Sequence, residues 1–158
     1  MAKLNMVEAI NLALREEMER DDRVFVLGED VGREGGVFRV TDGLQAKFGA
    51  NRVIDTPLAE SGIVGVALGL AVYGLRPIAE IQFEGFLYPC LDQINNHIAR
   101  IRNRSRGRFT APMVIRSPYG GGIHAPEHHS DSRGASVARS PGRRVEIHSN
   151  PPEAQGPL

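Results

Sequence analysis

Arg23-Val-Phe-Val-Leu-Gly28 is a short run of β-forming residues closed by a glycine, which is the pattern of a buried strand. An amphipathic helix precedes this run, because Asn5 and Glu8 have the spacing of a capping box and two aspartates end the helix at positions 21 and 22. The apolar residues of this helix share one stripe: Val7, Ile10, Leu14 and Met18. We therefore expect a helix that leads directly into a buried strand.

Strands and helices continue to alternate along the chain. Further strands are predicted at residues 52–54, 76–83 and 113–116. Further helices are predicted at residues 40–48, 56–73 and 87–101, the second of them with the start signal Thr56-Pro57. Because strands separated by helices of this length form parallel sheets, we expect an α/β fold, a parallel sheet flanked by helices on both faces.

The chain changes character after residue 132. Among its last 26 residues, four are proline, four are arginine, and the large aliphatic residues are Val137, Val145, Ile147 and Leu158. Such a segment buries little apolar surface. We expect one α/β domain over residues 1–132 and a divergent, poorly packed tail over residues 133–158.

Composition narrows the functional classes. The chain has 158 residues, with 19 basic residues balancing 19 acidic ones, so no overall charge attracts nucleic acid or an anionic membrane. The longest apolar stretch, residues 63–73, is too short to span a bilayer, and the acidic amphipathic start is not a secretory signal. A single cysteine, Cys90, excludes an intrachain disulfide and any multi-cysteine zinc or iron–sulfur site, and we expect it to be a buried filler. These features predict a cytoplasmic protein.

One predicted helix carries three glycines and a carboxylate in its first turn. Gly62, Gly65 and Gly69 each cost about 1 kcal/mol relative to alanine, and their spacing places them near one face. That face suits either ordinary packing on the sheet or the close approach of a partner. Glu60 either complements the helix dipole or is a half-buried carboxyl that exchanges a proton with a ligand nitrogen.

Two further patterns carry polar or charged residues. His124-Ala-Pro-Glu-His-His-Ser-Asp131 contains the sequence His-x-x-Glu-His of one class of zinc peptidases, but Pro126 disfavours the helix that this motif needs. Acid–base chemistry in a loop after a parallel strand is the better interpretation. Arginines occupy every second position from Arg100 to Arg108, and the lack of interleaved aromatic residues favours a solvated or interface-facing segment over an RNA-binding ribbon.

Five motifs in order resemble the beta subunit of the decarboxylating component of 2-oxo acid dehydrogenase complexes. They are Leu27-Gly-Glu-Asp-Val-Gly32, Gly35-Gly-Val-Phe38, Asp55-Thr-Pro-Leu-Ala-Glu-Ser-Gly62, Ala79-Glu-Ile-Gln-Phe83 and His128-His-Ser-Asp-Ser132. The resemblance covers residues 4–132. It implies that the α/β fold is a thiamine diphosphate-binding domain of the pyrimidine type. The segment 115–127 is more similar to pyruvate-type than to branched-chain members.

The resemblance implies partners and a cofactor. Such beta subunits pair with an alpha subunit in an α2β2 heterotetramer and bind thiamine diphosphate across the interface. The alpha subunit holds the diphosphate and its magnesium, so the resemblance implies no metal ligand in this chain. The assembled enzyme decarboxylates a 2-oxo acid and transfers the acyl group to a lipoyl domain of the acyltransferase core.

The resemblance also assigns roles to individual residues. Glu60 matches the glutamate that hydrogen-bonds the pyrimidine ring and shuttles a proton, and His129 matches the histidine that serves reductive acylation of the lipoyl group. Glu29 resembles an acidic residue in a polar passage between paired cofactor sites. The positions that line the pyrimidine pocket are Leu58, Gln82 and Phe86.

The sequence departs from the family in two respects. Family members are longer and carry a second α/β domain that is absent here, and the sequence after Ser132 diverges from theirs. We therefore expect a truncated chain, inactive by itself. A branched-chain 2-oxo acid dehydrogenase beta subunit and a non-catalytic remnant that only binds an alpha partner remain the alternatives.

Overall fold

The computed structural model of the protein describes residues 3–119 and 129. One sheet contains four parallel strands in the order β2-β1-β3-β4. The strands are β1 (Val24–Gly28), β2 (Val53–Asp55), β3 (Arg76–Glu80) and β4 (Val114–Arg116). The predicted parallel α/β fold is confirmed, whereas the predicted tail at 133–158 lies outside the described residues.

The first helix, α1 (Met6–Arg20), begins as its sequence predicts. The Asn5 side chain accepts a hydrogen bond from the Glu8 backbone N–H, and the Glu8 carboxylate accepts one from the Asn5 backbone N–H, both at 2.9 Å. This reciprocal capping satisfies two donors that a helix start leaves unpaired. Leu14 and Met18 are buried on the predicted stripe, and Asp21 caps the end of the helix.

Apolar helices and segments cover both faces of the sheet. Side chains alternate between the faces of a strand, so Val26 and Leu27 of β1 enter different cores. One core packs β1 and β2 against α1 and the short helix α2 (Leu44–Phe48). The other packs β1 and β3 against α3 (Glu60–Val72) and the segments that follow β3. The prediction of helices on both faces is therefore confirmed.

Two helices begin later than predicted. The helix predicted at 40–48 begins at Leu44, because Arg39 and Gly43 take left-handed backbone angles, with φ of 59° and 72°. The helix predicted from Thr56-Pro57 begins at Glu60, as α3. The Thr56 backbone N–H donates to the carbonyl of Gly28 at 3.0 Å, so the chain is still hydrogen-bonded beside β1 at this point. Proline compatibility with a helix start did not outweigh that interstrand bond.

The region after β3 also differs from the prediction. The strand predicted at 76–83 ends at Glu80, and the single helix predicted at 87–101 is wrong. In its place are a 3-10 segment Glu84–Cys90, a π-helical segment Gln93–Ile98 and the short helix α4 (Ile101–Arg104). Pro89 lies inside the 3-10 segment and has no backbone N–H to give a regular α-helix. Among residues 3–119, no helix combines the length and apolar character needed to cross a membrane.

Candidate functional site

The carboxyl edge of the sheet brings most of the predicted site residues into one region. Glu29 directly follows β1, Gln82 follows β3, and Glu60 is the first residue of α3. Phe86 lies in the 3-10 segment after β3. In parallel sheets, ligands bind beyond the carboxyl ends of the strands, so this edge is the candidate site.

Glu60 interacts electrostatically with residues on two other elements. Burial raises the pKa of Glu29, and the nearby carboxylates of Asp30 and Glu60 raise it further. Burial also raises the pKa of the Cys90 thiol to about 12, and the negative charge of Glu60 contributes. Cys90 is fully buried, which confirms the prediction of a filler, and at this pKa its thiol carries no charge at neutral pH. The charge of Glu60 therefore acts on both the end of β1 and the 3-10 segment.

An aromatic cluster flanks these acids. The His129 ring lies edge-on to Phe83 with ring centroids 4.5 Å apart, and edge-on to Phe86 at 5.5 Å. Phe83 also contacts Phe86 and Phe38, each at 5.8 Å. The structure therefore brings the predicted residues His129 and Phe86 into direct contact, and Phe83 packs against both rings. Phe83 was not among the predicted site residues, although it ends one of the five motifs.

A side-chain hydrogen bond joins the loops that follow β1 and β3. The Gln82 amide donates to the Asp30 carboxylate at 3.1 Å. Asp30 has a left-handed backbone with φ of 58°, which asparagine and aspartate tolerate better than most residues. Sequence reasoning placed Gln82 in the site and missed Asp30, whose signal was its position beside Glu29 at the end of a buried strand.

The loop between β1 and α2 is folded back against the same edge. The Asp55 carboxylate, at the end of β2, accepts hydrogen bonds from the backbone N–H groups of Gly32 at 2.5 Å and Arg33 at 3.0 Å. The Gly36 N–H donates to the carbonyl of Asp30 at 2.8 Å. Gly36 has φ of 78°, a conformation that favours glycine. These bonds hold the loop that carries Glu29 and Asp30 in place.

Two glutamates after or at the end of β3 are almost fully buried. Glu80 and Glu84 each expose only 5% of their surface. The Glu80 carboxylate forms an ion pair with the Arg116 guanidinium of β4 at 2.6 Å. Sequence reasoning missed both residues, although a charged residue between Ala79 and Ile81 in a buried strand was a usable signal.

Leu58 and two of the three glycines of α3, Gly62 and Gly69, are exposed, whereas Gly65 is partly buried. Leu58, on the connection from β2 to α3, is the most exposed of the predicted site residues, with 71% of its surface accessible. A side chain added at Gly69 would meet no atom within 4 Å, and one at Gly62 would meet only Ala59, at 3.5 Å. Packing among the described residues therefore does not require glycine at these positions.

The remaining sequence patterns occupy the surface or fall outside the described residues. The five alternating arginines are all exposed, as a solvated or interface-facing segment requires: Arg100, Arg102, Arg104, Arg106 and Arg108. Of the histidine-rich loop 124–131, only His129 is described. Within residues 3–119 and 129, no group of three or more histidine, cysteine, aspartate or glutamate residues is arranged to hold a metal ion.

The donor set at this edge fits a flat nitrogen heterocycle. A carboxyl at the start of α3 can hold a ring N–H or accept a proton, an amide at Gln82 offers both a donor and an acceptor, and the Phe86 ring supplies an apolar wall. The aminopyrimidine of thiamine diphosphate has this chemistry. Its diphosphate does not match the local charges, because Glu29, Asp30 and Glu60 are all acidic.

Comparison with known proteins gives long, close matches to beta subunits. The protein named "Pyruvate dehydrogenase E1 component subunit beta" is 58% identical in Staphylococcus epidermidis and 56% identical in Bacillus subtilis, each over 100% of this chain and 49% of the relative. The "2-oxoisovalerate dehydrogenase subunit beta" of Bacillus subtilis is 54% identical over 100% of this chain and 48% of the relative. The resemblance to these beta subunits is confirmed, and the chain spans about half the length of each.

A solved structure and a family model agree on the fold. The chain resembles a structure described as "Split gene transketolase, inactive beta4 tetramer", with a TM-score of 0.55 and 24% identity over 72% of this chain and 33% of that one. This likeness concerns the fold alone. The model of the family described as "Transketolase, pyrimidine binding domain" matches residues 2–158, so the chain belongs to the family of transketolase pyrimidine-binding domains.

Proposed function

We propose that this chain is the pyrimidine-binding part of a pyruvate dehydrogenase beta subunit and that Glu60 is its central catalytic residue. The observation that carries the proposal is the position of Glu60. It begins α3 at the carboxyl edge of the sheet, and its charge adds to the effect of burial in raising the pKa values of Glu29 and Cys90. The identity of 56–58% to pyruvate dehydrogenase beta subunits supports the reaction class.

In this proposal the chain's own residues bind and orient the cofactor ring. Glu60 hydrogen-bonds a pyrimidine nitrogen and exchanges a proton with it, which a carboxyl partly shielded from water does well. Leu58, Gln82 and Phe86 line the ring's pocket. When bound, thiamine diphosphate supplies the carbon nucleophile and the electron sink for decarboxylation of a 2-oxo acid.

Glu29 and His129 serve other steps in the proposal. Glu29 lies in a polar passage toward a second cofactor site, and its raised pKa suits a carboxyl that carries a proton. His129 donates or accepts a proton during reductive acylation of the lipoyl group. Its packing against Phe83 and Phe86 supports this role, because the rings fix the imidazole beside the pocket.

The proposed partners supply the parts of the cofactor site that lie outside this chain. An alpha subunit holds the diphosphate and magnesium, in an α2β2 heterotetramer located in the cytoplasm. The exposed glycine face of α3 is its proposed contact, since nothing among the described residues fills the space beside Gly69. A lipoyl domain of the acyltransferase core receives the acyl group.

The test replaces Glu60 in the beta subunit that carries this chain, assembled with its alpha subunit. We expect Glu60→Gln to reduce decarboxylation of pyruvate, followed with an artificial electron acceptor, by about 100-fold or more, the scale of general acid–base catalysis. Glu16→Gln, on the exposed side of α1, is the matched control and should keep full activity. Normal turnover by Glu60→Gln would contradict the catalytic role. An assembly that forms but lacks activity with wild-type Glu60 would instead favour a non-catalytic remnant that only binds alpha.

A branched-chain substrate is the second candidate, favoured by the relative named 2-oxoisovalerate dehydrogenase subunit beta at 54% identity. The same assembly distinguishes the two when pyruvate and 2-oxoisovalerate are compared by kcat/KM. A higher value for pyruvate supports the first proposal, and a higher value for the branched substrate supports the second.

A further inference from the structure

The buried ion pair between Glu80 and Arg116 has no role in the proposed chemistry. The Glu80 side chain is 6% exposed and that of Arg116 is 18% exposed. Removing charges from water is costly unless they are paired, so a buried pair at the end of two strands needs a reason beyond stability. The location of the pair supplies such a reason, because Glu80 packs against the loop after β1 that carries the candidate site residue Glu29.

The pair joins the segments that lead to the aromatic cluster. The Ile81 backbone N–H donates to the carbonyl of Arg116 at 2.9 Å, and the Glu84 N–H donates to the carbonyl of Pro118 at 3.1 Å. The Glu80–Arg116 ion pair is the charged contact between the same two segments. One of these segments continues to Phe83 and Phe86, on which His129 packs.

The other oxygen of Glu80 faces the loop after β1. A side chain added at Gly36 would lie 3.3 Å from Glu80 Oε1 and 3.1 Å from the Thr41 hydroxyl, so the loop approaches the carboxylate closely. The Gly36 N–H donates a hydrogen bond to the carbonyl of Asp30, and the Asp30 carboxylate accepts a hydrogen bond from the Gln82 amide. The Glu80 carboxylate is thus packed between the Arg116 segment and the loop that carries Glu29 and Asp30.

We propose that Glu80 and Arg116 are positioning residues. They hold the loop after β1 and the segment after β3 in the geometry that binds the cofactor ring. The inference rests on the proposed function, because it takes that ring to be the aminopyrimidine of thiamine diphosphate. Neither residue needs to touch the cofactor. Each acts through the loop it holds, as the outer residues of a preorganised site do.

The experiment measures thiamine diphosphate affinity by calorimetry, with magnesium present, in the assembly of alpha with the beta subunit that carries this chain. Arg116→Gln and Glu80→Gln should each weaken affinity about tenfold, the lower end of what outer hydrogen-bond partners contribute at metal sites. Arg52→Gln is the matched control. The Arg52 side chain is also 18% exposed and ion-paired, but it bonds the carbonyls of Asp21 and Val24 at the opposite edge of the sheet.

The control separates positioning from loss of stability. Arg52→Gln should lower the melting temperature of the assembly as the other two variants do, yet change affinity by less than about twofold. The double variant Glu80→Gln/Arg116→Gln should bind to within about threefold of wild type, because it leaves no buried charge unpaired and two amides can still hydrogen-bond.

The outcomes distinguish the two proposals. Suppose that wild type binds thiamine diphosphate and that Glu80→Gln and Arg116→Gln lower the melting temperature as much as Arg52→Gln does. If these two variants then bind the cofactor no more weakly than Arg52→Gln, the inference is overturned and the proposed function stands. The inference is also overturned if the double variant binds no better than the single variants. If either single variant fails to assemble with alpha, the double variant decides. A loss of its thiamine diphosphate affinity by more than about tenfold relative to wild type overturns the inference. A wild-type assembly that does not bind the cofactor overturns both proposals.

Discussion

Burial raises the pKa of Glu29, at the end of β1, and the carboxylate of Glu60, at the start of α3, adds to the effect. The two residues are far apart in sequence and belong to different elements. They meet because β1 and the β2–α3 connection end at the same edge of a parallel sheet. Burial and nearby negative charges both disfavour the ionised form of Glu29, so its side chain holds a proton more tightly than an exposed glutamate does.

The raised pKa of Glu29 predicts that removing its charge stabilises the protein. The folded state holds the Glu29 proton more tightly than the unfolded chain does. Ionisation of Glu29 therefore lowers the stability of the folded protein as pH rises above the ordinary pKa of 4.5. We expect Glu29→Gln to raise the melting temperature at pH 7 by about 1 °C, with the gain disappearing below pH 4.5. Scanning calorimetry across this pH range checks it. A lower melting temperature at pH 7 would show that the Glu29 charge has a favourable partner.

Asp21 should behave in the opposite way. Hydrogen bonds from the Arg23 side chain and backbone hold the pKa of Asp21 at about 2, below its ordinary 3.8, and Arg76 adds to the effect. Its contribution to stability is therefore present above pH 3.8 and is lost as pH falls toward 2. We expect Asp21→Asn to lower the melting temperature by about 1–2 °C at pH 7 and to match wild type near pH 2. Asp22→Asn is the control, because the Asp22 side chain is 99% exposed. A difference that persists unchanged at pH 2 would rule out the charge as its cause.

Gly69 separates the stability of the chain from its assembly. Alanine at this position meets no atom within 4 Å and favours the helix, so Gly69→Ala should stabilise the beta subunit by about 0.5–1 kcal/mol in urea unfolding. If the glycine face contacts alpha, the same change should weaken assembly about tenfold by sedimentation, because the added methyl group separates the two surfaces. Ala13→Ser, on the exposed side of α1, should leave assembly unchanged. Normal assembly of Gly69→Ala would place the partner elsewhere.

His129 should matter for one half-reaction alone. We expect His129→Ala to keep decarboxylation to an artificial electron acceptor within about threefold and to slow acylation of a lipoyl domain about 100-fold. His97→Ala is the control, since His97 pairs with Asp92 away from the aromatic cluster. Equal losses in both assays would mean that His129 supports the pocket as a whole and has no special role toward the lipoyl group.

Local patterns predicted those elements whose formation depends on neighbours in sequence. The capping box at Asn5 and Glu8 and the strand at residues 23–28 agree with the structure, as does the assignment of Cys90 to the core. The start of α3 could not be read locally, because the Thr56 N–H bonds the carbonyl of Gly28 on another strand. The 3-10 and π-helical geometry after β3 was missed in the same way, since helix propensity does not distinguish among helix types.

The sequence by itself determined the α/β class and the order of its strands along the chain, because hydrophobic periodicity is local, and its motifs predicted the candidate site residues. Tertiary structure alone decided which of those residues meet. The charge of Glu60 reaches Glu29 because parallel strands end at a common edge, and His129 packs on Phe83 and Phe86 although it lies far from them in sequence. The Glu80–Arg116 ion pair also depends on tertiary structure, because the two residues are far apart in sequence and meet only across neighbouring strands of the sheet.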